Sequence, residues 1–204
     1  MIIHYTLSTF VNAGPLNEDD LFTDITGKIM EVTPHSTDTD ADNVAGEITA
    51  CYVDVEAAID NEVNIWDVFD AAGEGSRGLL PYYDLLYDAN GELQGTLSEQ
   101  VRGENVLIIQ HLSIVPAFQG YKMGLAALWE TIRRFGHGCS LVLLTAQPLN
   151  AAQLTPAELE TARAGLIRYY QRLGFRGPVG AHILYLDLDR KCPTLLAAGY
   201  QDIP

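Results

Sequence analysis

Glycine, lysine and proline lie close together near the middle of the chain, a combination that suggests a site for a negatively charged ligand. An apolar run ends at Pro116, and the residues that follow at 119–124 are Gln119, Gly120, Tyr121, Lys122, Met123 and Gly124. If a helix begins here, its exposed backbone amides and its dipole attract an anion. Glycine also lets a phosphate approach the backbone without meeting a Cβ atom. The alternative is that these glycines only permit close packing of a helix on a strand.

A second pattern, two tyrosines followed by a glycine and a phenylalanine, lies about 50 residues further along the chain. Tyr169 and Tyr170 are adjacent, and Gly174 and Phe175 follow. A helix that ends in a glycine cap with a hydrophobic contact explains this pattern without any chemistry. Buried tyrosines whose hydroxyl groups are hydrogen-bonded are an equally simple explanation.

His111 lies in the central apolar run and could accept a proton. The ordinary pKa of an imidazole, about 6.5, suits a general base near neutral pH. A histidine in a buried strand can equally be a hydrogen-bonded structural residue. Because side chains alternate along a strand, we expect Gln110 and His111 to lie on opposite faces, so that only one faces a substrate. Glu104, at the start of the run, is a second candidate that would act through water.

Taken together and in this order, the two patterns resemble the GNAT superfamily of N-acetyltransferases over roughly residues 106–188. The phosphate-binding signature of that family is Arg or Gln, two variable residues, Gly, one variable residue, and Gly or Ala. Gln119 and Gly124 match it, whereas Lys122 stands where the first glycine is usual. The other matching residues are Leu112, Ile114 and Pro116 for a Leu-x-Val-x-Pro pattern, and Tyr170, Gly174 and Phe175 for a Tyr-x-x-x-Gly-Phe ending.

The resemblance implies acetyl-CoA as co-substrate and no metal. It implies that the strand holding residues 112–115 separates from the strand holding residues 141–145, and that the pantetheine arm fills the gap like an additional strand. Backbone amides near Ile114 would polarise the thioester carbonyl and stabilise the oxyanion. The cofactor-binding residues that the match implies are Leu112, Ile114, Val115, Gln119, Gly120, Tyr121, Lys122, Met123, Gly124 and Leu125.

The resemblance also implies catalytic roles. Tyr170 matches the acid that protonates the departing CoA thiolate, and we expect the neighbouring Tyr169 to point into the core. An amine attacks the thioester directly, so no enzyme nucleophile is required. Families of this fold often use a carboxylate on the central strand, but the corresponding residue here is Gln110, which leaves His111 as the candidate base. Lys122 either pairs with a phosphate of the cofactor or is a solvated helix lysine.

The elements that must position these residues are clearest in the second half of the chain. The apolar run Asn105–Val115, bounded by Gly103 and Pro116, indicates a buried central strand. The other expected elements are helices over Gln119–Phe135 and Ala157–Leu173, strands over Leu141–Thr145 and His182–Leu188, and a loop over Pro148–Pro156. The order strand, helix, strand is a βαβ unit, so we expect the sheet to be at least partly parallel.

In the first half, the expected elements are strands over Lys28–Thr33 and Val44–Val55, helices over Glu56–Ala72 and Pro81–Tyr87, and turns at Thr37–Asn43, Gly73–Ser76 and Asn90–Gly91. With the resemblance, this predicts one α/β (α+β) domain over residues 1–204 with a GNAT fold. The expected architecture is a central twisted sheet, mixed but mostly antiparallel, with a parallel βαβ cofactor-binding unit and flanking helices.

Charge divides the chain into two unequal halves. The net charge is −15, and residues 1–104 carry 21 acidic against 3 basic side chains, whereas residues 105–204 carry 6 acidic against 9 basic. We therefore expect residues 105–204 to bind the anionic cofactor and residues 1–104 to face the acceptor, with a weak preference for a cationic amine. Acidic surface residues also simply increase solubility. Nucleic acid is not expected as a partner, because its phosphates require a positive surface.

The remaining sequence features concern the compartment. No apolar run approaches the ~20 residues that a membrane span needs, and the N-terminus lacks the pattern of a signal peptide. Cys51, Cys139 and Cys192 are too few and too widely spaced for a disulfide framework or a zinc site. We therefore expect a cytoplasmic protein without membrane contact, and we interpret His137–Cys139 as a loop at a helix end.

Three functions are compatible with the sequence. The leading interpretation is transfer of an acetyl or other acyl group to a primary amine of a small molecule or peptide. A non-catalytic CoA-binding or regulatory module is the alternative to which Lys122 and the missing strand carboxylate point. An interaction scaffold without any cofactor is the third. The sequence leaves open the acceptor, the acyl-chain length and the oligomeric state, for which a homodimer is one alternative.

Overall fold

Seven strands, from both halves of the chain, form one sheet. The structure, a computed structural model, describes residues 1–9, 15–31, 44–72, 78–88, 90–94, 105–179, 182–189 and 193–194. The strands are β1 (Ile2–Thr9), β2 (Phe22–Met30), β3 (Val44–Val53), β4 (Asn105–Ile114), β5 (Cys139–Thr145), β6 (Arg176–Val179) and β7 (Ile183–Asp187). The helices are α1 (Val55–Asp60), α2 (Ile65–Ala71), α3 (Leu80–Leu86), α4 (Met123–Phe135) and α5 (Pro156–Gln171).

The strand order in the sheet is β1-β2-β3-β4-β5-β7-β6. Strands β4 and β5 pair in parallel, and every other neighbouring pair is antiparallel. Helix α4 forms the crossover that a parallel pair requires. The predicted fold class, a mixed and mostly antiparallel sheet with one parallel βαβ unit and flanking helices, is therefore confirmed.

Each face of the sheet carries its own hydrophobic core. Helices α1–α3 pack on one face, where Val53, Ile108 and Leu143 are buried. Helices α4 and α5 pack on the other face, over buried residues such as Leu107 and Val142. The first half of β4 is thus covered on both sides, which explains why its sequence is a continuous apolar run rather than an alternating one.

Helix α4 begins at Met123, four residues later than the predicted start at Gln119. Residues Pro116–Phe118 form one turn of 3-10 helix. Gln119 is extended, and Gly120 and Lys122 have φ values of 88° and 61°. Positive φ values are incompatible with a right-handed helix, so the predicted first turn of the helix is instead a loop.

The N-terminal half differs from the prediction in several places. Helix Glu56–Ala72 is wrong as a single helix, because Glu62 has a φ of 58° and the Asn64 side chain caps a new helix. Strand β2 begins earlier than expected and ends at Met30. Strands β1 and β6 were not predicted. Turns Thr37–Asn43 and Gly73–Ser76, Glu104 and Cys192 lie outside the described residues. No helix in the described ranges is long and apolar enough to cross a membrane.

Candidate functional site

Strand β4 continues beyond its last pair with β5, which lies one residue before the end of β5. Their paired residues run from Asn105 and Cys139 to Ile109 and Leu144, and beyond that point β4 pairs with β3 alone. A cavity of about 370 Å³, the strand cavity, opens where they part. The strand cavity is lined by Ile109, Gln110, His111, Leu112, Leu144, Thr145, Gln147, Pro148, Leu149 and Tyr170. Residues 112–114 of β4 therefore have no partner in β5, and the strand cavity lies where the separation of the two strands was expected.

A β-bulge brings two neighbouring polar residues of β4, Gln110 and His111, to this cavity. Thr49 of β3 pairs with His111 and the next residue, Ala50, pairs with Ile109, so Gln110 is an extra residue in β4. A bulge interrupts the alternation of side chains along a strand. The expectation that Gln110 and His111 face opposite sides, with only one near a substrate, is wrong for this reason, since both line the strand cavity.

Tyr170 lies near the C-terminal end of α5, and its side chain lines the strand cavity. Its side chain is only 9% exposed. Burial, with a smaller effect of the neighbouring Tyr169, raises the pKa of Tyr170 to about 12. The hydroxyl group is therefore protonated at neutral pH and can donate a proton.

A pair of hydroxyl groups lies beside the same cavity. The hydroxyl oxygens of Tyr82 on α3 and Thr145 at the end of β5 are 2.9 Å apart. Neither residue belongs to a recognisable motif, and Thr145 was expected only as part of a strand. The sequence does not predict this contact, because α3 and β5 are distant in the chain and meet only in the folded protein.

A second cavity, of about 460 Å³, lies beside the N-terminus of α4 and is named the helix cavity. It is lined by Ile114, Phe118, Gln119, Gly120, Lys122, Met123, Gly124, Pro148, Ala162, Gly165, Leu166 and Tyr169. Six of the ten expected cofactor-binding residues are brought together here. Of the other four, Leu112 lines the strand cavity, Val115 and Tyr121 are 42% and 74% exposed, and Leu125 is fully buried.

The loop before α4 has the backbone conformation that explains its unusual lysine. Lys122 is in the left-handed region, with φ 61° and ψ 13°. A residue with a Cβ atom pays about 1–2 kcal/mol to adopt this conformation, and glycine does not. The lysine therefore keeps the backbone path that a glycine would follow, and its side chain lines the helix cavity. Nε2 of Gln119 donates to the Ile114 carbonyl oxygen at 2.9 Å and ties the loop to the end of β4.

Helix α5 forms the opposite wall of the helix cavity. Its start follows from a capping box in which Thr155 and Glu158 satisfy each other's backbone amides, with Pro156 in the first turn. Ala162, Gly165, Leu166 and Tyr169 then face the cavity. None of these four was expected to bind the cofactor. Gly165 was the one available signal, because a glycine lowers the stability of a helix and its presence inside one calls for another reason.

Tyr169 packs against the hydrophobic core, as expected, but it also faces a cavity. It lines the helix cavity, and its hydroxyl oxygen accepts a hydrogen bond from the Leu125 backbone nitrogen at 3.0 Å. Burial raises the pKa of Tyr169, and the Leu125 amide lowers it by a smaller amount. Because Tyr169 and Tyr170 lie on different sides of α5 near its end, each of them lines a different cavity.

The two cavities adjoin, since Pro148 lines both of them. The helix cavity offers backbone amides, a lysine and apolar walls, and the strand cavity offers a protonated phenol, an amide and an imidazole. This set of groups fits a thioester with a diphosphate at its far end. No carboxylate in the described residues lines either cavity. The described residues also hold no group of three or more His, Cys, Asp or Glu side chains that could bind a metal.

Neither a protein-family model nor a curated protein sequence matches the chain. Several solved structures are similar at low identity. One is a KacTA–DNA complex, with 16% identity over 83% of this chain and 70% of the other, and a TM-score of 0.40. Another is Arabidopsis thaliana NAA60 in complex with a bisubstrate analogue, with 14% identity, 82% and 75% coverage, and a TM-score of 0.41.

A third similar structure is a mutant AtaT toxin bound to the C-terminus of the antitoxin AtaR. It has 10% identity over 92% of this chain and 94% of the other, and a TM-score of 0.37. Because these likenesses are distant, the fold class rests on the strand order and on the single parallel pair of the sheet.

Proposed function

We propose that the protein is an acyl-CoA-dependent N-acyltransferase that moves an acetyl group from acetyl-CoA to a primary amine by direct attack in a ternary complex. The observation that carries this proposal is the separation of β4 from β5 beyond Ile109 and Leu144, directly beside the helix cavity. The separation leaves a strand edge and a protonated tyrosine facing one cavity. A sheet opened in this way can accept an extended ligand arm.

The binding roles follow the two cavities. Acetyl-CoA supplies an acyl thioester and an anionic diphosphate. Backbone amides of the loop at 119–124 and the Lys122 ammonium group hold the diphosphate. The edge of β4 over residues 110–114 hydrogen-bonds to the extended arm, and backbone amides near Ile114 stabilise the negative oxygen that forms at the carbonyl carbon. Phe118, Met123 and Leu166 supply apolar contacts along the way.

The catalytic roles lie in the strand cavity. His111 accepts a proton from the attacking ammonium group, and Gln110 beside it can orient the amine but cannot accept a proton. As the carbon–nitrogen bond forms and the carbon–sulfur bond breaks, Tyr170 donates its proton to the departing sulfur, and the second proton that the nitrogen loses returns through solvent to the Tyr170 oxygen. The Tyr170 hydroxyl group is protonated at neutral pH, so a proton is available to the sulfur when the carbon–sulfur bond breaks.

The acceptor is a primary amine of a small molecule or a peptide. The acidic side chains of residues 1–104 are the support for a cationic acceptor. Because no carboxylate of the described residues lines the strand cavity, that attraction would act at the approach to the cavity rather than within it.

The test combines calorimetry with a screen for thiol release. Acetyl-CoA and CoA are titrated into the protein, and free thiol is then followed with acetyl-CoA and a panel of primary amines. We expect a dissociation constant on the order of micromolar and amine-dependent thiol release. Binding without release for any amine would favour a non-catalytic CoA-binding module. Absence of binding would contradict the proposal.

A further inference from the structure

The two tyrosines near the end of α5 line different cavities. Tyr170 lines the strand cavity, whereas Tyr169 lines the helix cavity and accepts a hydrogen bond from Leu125. Leu125 is the third residue of α4, and its amide also donates to the Lys122 carbonyl oxygen at 3.0 Å. The Tyr169 hydroxyl group is therefore a second acceptor for this amide, and it links α5 to the very start of α4.

The same hydroxyl group explains why residue 124 is a glycine. A Cβ atom added to Gly124 would lie 2.8 Å from the hydroxyl oxygen of Tyr169 and 3.5 Å from Cγ1 of Ile114. A separation of 2.8 Å is too short for these two atoms, so one of them must move. Gly120 is different, because it has a φ of 88° and an added Cβ atom would meet nothing within 4 Å. Position 120 thus requires glycine for its backbone, and position 124 requires it for Tyr169.

We propose that Tyr169 is a positioning residue of the cofactor site, an inference that rests on the function proposed above. Its hydroxyl group fastens the first turn of α4 to α5 and so holds the loop at 120–124 with its amides toward the helix cavity. The Leu125 amide is already engaged, so the amides before it are the ones left for the diphosphate. Holding these groups in place before the ligand arrives lowers the entropy cost of binding.

Thermal unfolding of the ligand-free protein tests the contact itself. Gly124→Ala, Tyr169→Phe and the double variant are compared with the wild type. We expect Gly124→Ala to lower Tm by about 4 °C in the wild type but by no more than about 1 °C in the Tyr169→Phe background, because the clash is then absent. Tyr170→Phe, which removes the neighbouring hydroxyl group, is the matched control and should give no relief. Equal losses in all backgrounds would overturn the proposal.

Calorimetry and kinetics with acetyl-CoA test the positioning role. We expect Tyr169→Phe to raise the dissociation constant about fivefold and to leave kcat at saturating acetyl-CoA within about twofold, because the residue acts on binding rather than on proton transfer. An unchanged affinity would reduce Tyr169 to a packing residue and overturn the positioning role. If the wild type does not bind acetyl-CoA, the proposed function and this role fail together, while the unfolding data still decide whether Tyr169 and Gly124 are coupled.

Discussion

At the residue scale, the candidate chemistry depends on two side chains that come from different elements and face the same cavity. His111 belongs to the part of β4 that follows the bulge, and Tyr170 belongs to the last turn of α5. Burial raises the pKa of Tyr170 to about 12, so in the proposed mechanism it acts only as a proton donor. The roles of acid and base are thereby separated between a phenol and an imidazole.

Replacing Tyr170 by phenylalanine keeps the ring and removes the proton donor. We expect kcat to fall about 100-fold and the dissociation constant of acetyl-CoA to stay within about twofold, because a general acid acts in the transition state. Thiol release and calorimetry measure the two quantities. Tyr83→Phe is the control. The Tyr83 ring contacts the rings of Phe69 and Tyr87, and Tyr83 lines neither cavity. Normal turnover by the Tyr170 variant would exclude it as the acid.

The pH profile of kcat should reflect the base and not the acid. His111 must be neutral to accept a proton, so we expect kcat to rise with pH as the imidazole loses its proton, with both substrates saturating. Tyr170 must stay protonated, and its pKa of about 12 predicts no fall in kcat up to about pH 10. His111→Asn should flatten the rise and lower kcat at least about tenfold. A rise that persists unchanged in this variant would show that another group is the base.

At the element scale, the sequence predicted the central elements well and the loops poorly. Strand β4, strand β5 and helix α5 lie within two residues of their expected bounds at every end, because each is an apolar or amphipathic segment with clear stops. The start of α4 was misplaced because the positive φ of Lys122 has no signature in a residue that is not glycine. The bulge at Gln110 was missed because register is set by β3, a partner distant in sequence.

The same contrast holds for the candidate site. Six residues that the resemblance implied, from the end of β4 to the first turn of α4, line the helix cavity. The wall provided by α5 was not found, since no motif marks it. Strand β1 was not predicted, because it is an edge strand with mixed, mostly exposed side chains and lacks a buried apolar run.

Gly165 offers a test of whether α5 really lines the cofactor site. An added Cβ atom at this helical position would meet nothing within 4 Å. We expect Gly165→Ala to raise Tm by about 2 °C, because alanine is the better helix former. Gly165→Leu should instead raise the dissociation constant of acetyl-CoA at least about tenfold without lowering Tm, because its side chain fills the cavity.

The matched control for Gly165 is Gln171→Leu, which adds an apolar side chain at an exposed position on the same helix outside both cavities. Calorimetry should give wild-type affinity for this variant. If the Gly165→Leu protein also binds acetyl-CoA normally, the cofactor does not lie along α5.

At the scale of the whole molecule, one sheet joins an acidic half to a half with a small excess of basic residues. Strands β1–β3 come from residues 1–104 and β4–β7 from residues 105–204, and β3 pairs directly with β4. The residues that line the candidate site, including Lys122, come from residues 105–204. The acidic half then repels polyanions from the rest of the surface, while a single anionic ligand can still reach the helix cavity.

The charge predicts that the protein does not bind nucleic acid. We expect no saturable change in fluorescence anisotropy of labelled duplex DNA or RNA at about 0.1 M salt, because a net charge of −15 opposes contact with phosphates. The same labelled duplexes with a basic DNA-binding protein serve as the positive control. Saturable binding that weakens with added salt would contradict the prediction.

The most direct test of the central claim is a crystal structure of the protein grown with saturating acetyl-CoA. The proposed function requires electron density for the diphosphate against the backbone amides of residues 120–124, and for the thioester in the strand cavity beside Tyr170. Density for the ligand at any other place, or empty cavities at saturating ligand, would contradict it.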